Sequence, residues 1–249
     1  MFVIIILANI VVGVLIGISG IGGFFLPVVY NAVLGFDVRD ALLLSFAAFI
    51  VSGILGSVSY AKAGEIRWAM ALNIAVSSFI GAIVGVWINS LLPVDVVRVF
   101  LYLVVLISGV ALLRKNKEKK KKSLLLDNIF FILVLGLSVG ILCSMTGAGG
   151  ALILVPVLVA LGEDIRKAVG MGIFSSVFIS LPSSAGYFMQ SSAEGLSSIL
   201  VVALFSHAVG VLIGSKVGNK IEQNKLRKGI GYISIISAVF LFVRMFLTS

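Results

Sequence analysis

The sequence contains very few of the residues from which disulfides, metal centres and catalytic sites are usually built. It has one cysteine, Cys143, and one histidine, His207, among 249 residues. A single cysteine excludes an internal disulfide and a Cys-x-x-Cys site, and a single histidine excludes a histidine cluster around a metal. The apolar runs contain no acidic pair, and the chain has neither a Ser-His-Asp set nor a P-loop lysine. We therefore expect neither an enzyme nor a protein that holds a metal or another cofactor.

Charged residues are also scarce, at 12% of the chain, whereas 60% of the residues are hydrophobic and the mean hydropathy is +1.23. A water-soluble globule could not bury so much apolar surface, so the composition predicts an integral membrane protein. The long apolar runs lack the alternation of barrel strands, and most can cross a hydrocarbon core of about 30 Å as helices. No lysine or arginine precedes the first run, so we expect it to belong to the mature fold. The other runs cover residues 41–61, 68–92, 94–113, 129–145, 168–190, 196–215 and 230–246.

The chain contains two copies of one sequence unit. Positions 13–60 align without a gap on positions 140–187, a shift of 127 residues, and the match continues at a shift of 129. The matches include glycine, aspartate, arginine and tyrosine, which a general apolar bias would not reproduce. The sequence therefore divides into a first repeat at 1–113, a basic linker at 114–123 and a second repeat at 124–249. Identical pairs include Gly20/Gly147, Gly22/Gly149, Gly23/Gly150, Asp37/Asp164, Arg39/Arg166, Tyr60/Tyr187, Gly81/Gly210 and Arg98/Arg227.

Each repeat opens with an apolar run that glycines interrupt. The interruptions are Ser19-Gly20-Ile21-Gly22-Gly23 and Thr146-Gly147-Ala148-Gly149-Gly150. Three glycines in five residues free the backbone from helical geometry, and the apolar piece that follows each break is too short to cross a membrane. We therefore predict an all-α membrane protein in which each repeat is a glycine-broken helical hairpin plus three transmembrane helices, about eight membrane elements in total.

The positions of the basic residues predict how the chain crosses the membrane. The formal charge is +9, and a cytoplasmic linker places 16 of the 19 Lys and Arg residues on the cytoplasmic side. This arrangement requires an odd number of crossings per repeat, so the two repeats have inverted topology and both termini lie outside. Because the cations lie between apolar runs, we expect no binding to nucleic acid.

The glycine breaks belong to two longer signatures, which run from Gly20 to Pro27 and from Gly147 to Pro156. A Gly-x-Asp-(Val/Ile)-Arg-x-Ala segment follows each signature, and the basic linker separates the two copies. Over nearly the full chain, these features resemble the sulfite exporter TauE/SafE family. The resemblance implies a permease of the cell membrane that moves sulfite, organosulfonates or other sulfur-containing anions.

The two glycine breaks are the candidate substrate site. Their backbone N–H groups, together with the positive ends of the helices that begin at Phe24 and Ala151, can hold an anion without a buried cation. The alternative interpretation is close helix packing through small residues. The predicted substrate-binding residues are Ser19, Gly20, Gly22, Gly23, Ser144, Thr146, Gly147, Gly149 and Gly150.

Five further residues have two interpretations each. Arg39 and Arg166 occupy matching turns, where they either are interfacial charges or attract anions to the outer and inner mouths of a pathway. Tyr60 and Tyr187 end equivalent spans, where they either mark the membrane interface or gate the pathway. His207 lies inside an apolar span, where it either forms a helix–helix hydrogen bond or couples flux to protons.

The sequence therefore predicts a secondary permease for a small anion. An anion channel on the same scaffold and a non-transporting membrane scaffold protein are the alternatives. The expected partners are the anion and membrane lipids, and a homo-oligomer is compatible with the sequence.

Overall fold

The structure is a computed structural model of the 249-residue chain. It describes residues 1–93, 123–191, 196–218 and 221–248, together with isolated positions between 96 and 113. Residues 114–122 of the predicted basic linker therefore lie outside the described residues, as do Arg98 and most of the span predicted at 94–113.

The described residues form helices and connecting turns, with no strand among them. The second helix continues directly into a π-helical turn, Val29–Val33, and a 3₁₀ turn, Leu124–Asp127, precedes the second repeat's first helix. The helices are α1 Phe2–Ser19, α2 Phe25–Val28, α3 Val38–Lys62, α4 Trp68–Leu91, α5 Ile129–Thr146, α6 Ala151–Ala160, α7 Ile165–Phe188, α8 Leu196–Gly218 and α9 Gln223–Thr248.

Six helices in the described part of the chain are long and apolar enough to cross a membrane, namely α1, α3, α4, α5, α7 and α8. The helix α6, which follows the second break, has ten residues and so rises only about 15 Å, half of a hydrocarbon core. The helical segment after the first break is equally short, because α2 and its π-helical turn together end at Val33. Each break is therefore followed by a helix that cannot span a membrane.

The turns between these short helices and the next spans have the same local structure in both repeats. Gly35 and Gly162 adopt left-handed φ angles of 75° and 92°, a conformation that favours glycine. Asp37 then accepts a hydrogen bond from the Arg39 amide at 2.8 Å and caps α3. Asp164 caps α7 through the Arg166 amide at the same distance. The repeated Gly-x-Asp-(Val/Ile)-Arg-x-Ala segment of the sequence is therefore a glycine turn followed by an aspartate cap.

The first helix of each repeat packs against the fourth helix of the other repeat through glycines. A methyl group on Gly13 of α1 would lie 2.6 Å from the His207 carbonyl oxygen of α8. In the equivalent pair, a methyl group on Gly136 of α5 would lie 2.7 Å from the Ile74 carbonyl oxygen of α4. Residue numbers rise in the same direction along both members of each pair, so these helices are parallel. The two repeats are thus interlocked rather than separate packing units.

The equivalent helices α3 and α7 pack against each other in opposite directions. Phe46 near the start of α3 stacks on Tyr187 near the end of α7, with ring centroids 5.8 Å apart and an interplanar angle of 3°. Farther along α3, a methyl group on Gly56 would lie 2.7 Å from the Ile173 side chain in the first half of α7. Residue numbers therefore rise along α3 as they fall along α7, and the pair forms the centre of the molecule.

A buried ion pair joins the two repeats at one end of this helix pair. Arg67, which precedes α4, donates to the carboxylate of Glu163, which precedes α7, at 2.5 Å. The Glu163 side chain is 1% exposed, and Asp127 lies 3.8 Å from the same guanidinium. Because an unpaired buried carboxylate is costly, Arg67 fixes the loop after α6 against the loop between α3 and α4.

Candidate functional site

The first break is a backbone turn over residues 20–24. It begins where α1 ends, at Gly20, whose φ is 71° and whose amide donates to the Ile16 carbonyl at 2.6 Å. Gly22 has a φ of 128°, which side chains other than glycine rarely allow. Beyond the break, the chain folds back along α1, because Asn9 Nδ2 on α1 donates at 2.7 Å to the hydroxyl of Tyr30 in the π-helical turn after α2. The first break is therefore the tip of a helical hairpin.

The second break, at residues 147–150, has the same construction. Gly147 ends α5 with a φ of 72°, and its amide donates to the Cys143 carbonyl at 3.0 Å. The Cys143 thiol faces the Gly149 carbonyl at 3.7 Å, a weak contact that brings the turn back onto α5. Both glycine breaks that the sequence predicts are therefore present at equivalent positions.

Amide groups in both breaks remain available for a ligand. Within the described residues, the amides of Gly22 and Gly23 in the first break donate to no acceptor. The same is true of the equivalent amides of Gly149 and Gly150 in the second break. A backbone N–H that lacks a partner away from water costs free energy, so these four groups in matching places are candidate donors to a ligand or to water.

The two breaks lie close to each other through their flanking helices. A methyl group on Gly20 in the first break would lie 3.0 Å from the Cβ of Ala151, the first residue of α6. A methyl group on Gly147 in the second break would lie 2.9 Å from Pro27 of α2. Each break therefore contacts the short helix of the other repeat.

A small cavity separates the breaks at the middle of α3 and α7. Its volume is about 10 Å³, which is barely enough for one water molecule. Gly149 faces open space, because a methyl group there would meet no atom within 4 Å. The cavity brings together residues of both breaks and both central helices, namely Ile16, Gly20, Gly23, Phe49, Ser52, Gly53, Gly149, Ile173 and Ser176.

The three predicted hydroxyl ligands donate to carbonyls of their own helices, and Ser19 Oγ also accepts from the Ile21 amide of the first break at 3.1 Å. Ser19 Oγ donates to the Leu15 carbonyl at 2.7 Å, and Thr146 Oγ1 donates to the Leu142 carbonyl at the same distance. Ser144 Oγ donates to a carbonyl of α5 at 3.1 Å. None of these three side chains lines the cavity between the breaks.

Two other serines line the cavity instead. Ser176 Oγ donates to the Gly172 carbonyl at 2.9 Å, whereas the bonds from Ser52 Oγ to two carbonyls of α3 are 3.3 Å long. The Ser52 hydroxyl is therefore the one most easily turned toward a ligand. The sequence contains a weak signal for Ser176, which lies in a serine-rich span, and none for Ser52.

Tyr60 and Tyr187 each bond to the last turn before a break. The Tyr60 hydroxyl donates to the Ile18 carbonyl at 3.2 Å, and the Tyr187 hydroxyl donates to the Ser144 carbonyl at 2.8 Å. Both rings are buried, so neither lies in an exposed interfacial belt. Arg166 of the second repeat lies within charge-interaction range of Tyr60, and Arg39 of the first repeat has the same relation to Tyr187.

His207 belongs to a buried polar cluster on one side of the hairpin. Its side chain is fully buried on α8 and faces the Asn9 backbone of α1. Among the described residues, neither ring nitrogen of His207 nor the Asn9 Oδ1 atom meets the geometry of a hydrogen bond, while Asn9 Nδ2 donates to the Tyr30 hydroxyl. In the described part of the chain, no group of three His, Cys, Asp or Glu side chains could hold a metal ion.

Known proteins are similar to this chain over most of its length. The family model described as "Sulfite exporter TauE/SafE" matches residues 4–241. A "Probable membrane transporter protein" of Haemophilus influenzae is 25% identical, and the alignment covers 93% of this chain and 94% of that protein. A "Probable membrane transporter protein" of Methanocaldococcus jannaschii is 23% identical, with 96% and 93% covered. No solved structure matches the chain.

Proposed function

The chain belongs to the sulfite exporter TauE/SafE family and is a multi-pass membrane transporter, and we propose that it is a secondary permease for a small, sulfur-containing anion. The observation that carries the proposal is the cavity at the middle of α3 and α7, which glycines of both breaks line. Sulfite and organosulfonates are the substrate candidates, because the family description names sulfite. The proposal assigns the chain transport rather than catalysis.

We propose that backbone amides bind the anion. The unpartnered amides of Gly23 and Gly149 belong to residues that line the cavity, and those of Gly22 and Gly150 are their neighbours. Clusters of backbone N–H groups in glycine-rich turns are well suited to bind an oxyanion and need no buried cation. Among the predicted site residues, Gly20 and Gly147 shape the two turns, and Ser19, Ser144 and Thr146 hold the helix ends beside them.

The proposed transport cycle is alternating access between two inverted repeats. The antiparallel packing of α3 on α7 supports inversion, because equivalent helices that run in opposite directions are related by an axis across the spans. The basic residues support a cytoplasmic linker and outer termini. The central cavity holds barely one water molecule, so an oxyanion of four or more atoms enters only when the repeats separate on one side.

We propose that Tyr60 and Tyr187 gate this separation. Each tyrosine holds the last turn of a first helix and lies near an arginine of the other repeat. Movement of one repeat against the other would therefore pull on the helix that ends at a break. In this proposal, Arg39 attracts the anion at the outer mouth and Arg166 attracts it at the inner mouth.

His207 is the proposed site of proton coupling. Its two unpartnered nitrogens face α1 beside the hairpin, and Tyr30 links the same cluster to the short helix that follows the first break. Wild-type flux should therefore depend on pH, and His207→Gln should abolish that dependence. The measurement is the initial rate of flux against pH. Ser206→Ala changes the neighbouring residue on α8 and should keep the pH profile of the wild type. If the pH profile of His207→Gln also equals that of the wild type, proton coupling through His207 is refuted.

Flux into proteoliposomes tests the transport proposal. Sulfite, sulfate, thiosulfate, ethanesulfonate and acetate are offered in turn, and thermal stabilisation of the purified protein by the same anions is measured in parallel. A permease gives saturable flux that accelerates when the same anion is present on the far side. A channel gives conductive flux without this exchange. If no anion in the panel gives flux or stabilisation, the chain is a non-transporting scaffold and the proposal fails.

A further inference from the structure

A second and much larger cavity adjoins the first break on another side. Its volume is about 210 Å³, whereas the cavity between the breaks has about 10 Å³. One wall is the last turn of α1 with the break itself, and the opposite wall is the first part of α9. The lining residues are Leu15, Ile18, Ser19, Ile21, Gly22, Ile221, Lys225, Gly229 and Ile233.

This cavity opens at the end of the molecule where α8 meets α9. A methyl group on Gly218, the last residue of α8, would lie 2.8 Å from the Cα of Ile18 in the cavity wall. The Lys225 side chain is 79% exposed, so the wall that it forms reaches the surface. In the proposed topology this end faces the cytoplasm, on the same side as the basic linker.

Two cations flank the cavity. Lys225 is the one charged residue in its lining, and its contact with the exposed Glu222 carboxylate is 3.7 Å long. Exposed ion pairs of this kind are weak, so the ammonium group is available to another anion. Arg166 Nη2 donates to the Ile221 carbonyl in the same wall at 3.2 Å. At the inner end lies Gly22, whose amide has no acceptor among the described residues.

The position equivalent to Lys225 in the first repeat carries no charge. The shift of 129 residues that pairs Arg227 with Arg98 places Val96 opposite Lys225. Val96 is exposed and apolar. The positive charge of Lys225 therefore has no counterpart at the equivalent position of the first repeat, whereas Arg166 has one in Arg39.

We infer that this cavity is a cytoplasmic vestibule in which Lys225 attracts the anion before the anion reaches the amide of Gly22. The inference rests on the proposed function. A cation at the mouth raises the local concentration of anions through long-range attraction, an effect that salt screens. The vestibule therefore lowers the anion concentration that gives half-maximal flux from the cytoplasmic side, and it leaves the maximal rate unchanged.

The test compares two substitutions in oriented vesicles, using whichever anion of the flux panel the wild-type protein transports. Lys225→Gln should raise the half-saturation concentration about threefold to fivefold from the linker side at low salt, and the difference should shrink at high salt. From the other side it should change nothing. Lys228→Gln removes another exposed lysine of α9, one that does not line the cavity, so it should match the wild type.

Filling the cavity gives a second measurement. A methyl group on Gly229 would meet no atom within 4 Å, so Gly229→Phe projects into the cavity without disturbing its own helix. It should reduce flux from the linker side more strongly than Lys225→Gln, with an unchanged thermal midpoint.

If Gly229→Phe instead removes a co-purifying phospholipid and leaves the half-saturation concentration unchanged, the cavity holds lipid and the inference is wrong. Equal half-saturation values for Lys225→Gln and Lys228→Gln also overturn it, whereas absence of wild-type flux overturns the proposed function itself.

Discussion

Gly149→Leu should abolish anion flux while the protein remains folded. Gly149 lines the cavity between the breaks, and a methyl group there would meet no atom within 4 Å. Its φ angle lies outside the left-handed region, so the backbone accepts a side chain. A side chain at this position therefore occupies the space that the anion needs and covers the amides that bind it. Gly149→Ala should reduce flux about tenfold, equivalent to about 1.4 kcal/mol of binding free energy.

The measurement is the initial rate of anion flux in proteoliposomes, together with the thermal unfolding midpoint of each purified variant. Ala69→Leu adds a similar volume at an exposed position of α4 and should keep wild-type flux. The equivalent substitution Gly22→Leu is less informative, because the φ of 128° and the Leu15 Cβ at 2.9 Å make any side chain there strained. Wild-type flux in Gly149→Leu would show that the anion does not pass between the breaks.

The sequence predicts the breaks well because they depend on local backbone properties. Gly20 and Gly147 have φ angles near 70°, which few other residues adopt, so their positions are visible as glycines in both copies. The caps at Asp37 and Asp164 are predictable for the same reason, since the aspartate bonds to an amide two residues later. Local features of this kind need no knowledge of which helices meet.

The cavity lining depends on helix packing and is harder to predict. Phe49 and Ser52 lie on α3, which is buried on most sides, so its sequence has no single polar face that would identify a pathway. The three predicted hydroxyl ligands, by contrast, are visible in the sequence but do not line the cavity. Serine and threonine in a helix readily bond to the carbonyl three or four residues earlier, and only the structure shows that Ser19, Ser144 and Thr146 do so.

The two repeats differ at several positions that matter for the proposed function. Asn9 and His207 have Gly136 and Ser78 at the equivalent positions, so the buried polar cluster exists on one side only. Lys225 has Val96 as its counterpart. The symmetric glycine breaks suit a shared anion site, whereas these asymmetric residues suit roles that distinguish one face of the membrane from the other.

Gly140→Leu should prevent stable folding, which is a larger effect than any surface substitution would have. A methyl group on Gly140 of α5 would lie 2.9 Å from both the Cα and the carbonyl carbon of Ser78 on α4. These are backbone atoms of a helix and cannot rotate away as a side chain can. In membranes, helices associate largely through such close backbone contact. The substitution should therefore destabilise the protein by about 3 kcal/mol or more, the upper range for overpacking.

The same reasoning applies to Gly13, the equivalent glycine of α1, whose methyl group would lie 2.6 Å from the His207 carbonyl oxygen of α8. Gly13→Leu and Gly140→Leu should both lower the yield of monodisperse protein and the thermal unfolding midpoint in detergent. Gly229→Leu is the matched control, because a side chain at Gly229 meets open space. In the described part of the chain, the glycines within α1 and α5 make their close contacts with the other repeat, so damage at either interface should unfold both repeats in one transition. Midpoints equal to that of Gly229→Leu would mean that α1 and α5 are not held by backbone contact, and a transition in two steps would mean that the repeats fold independently.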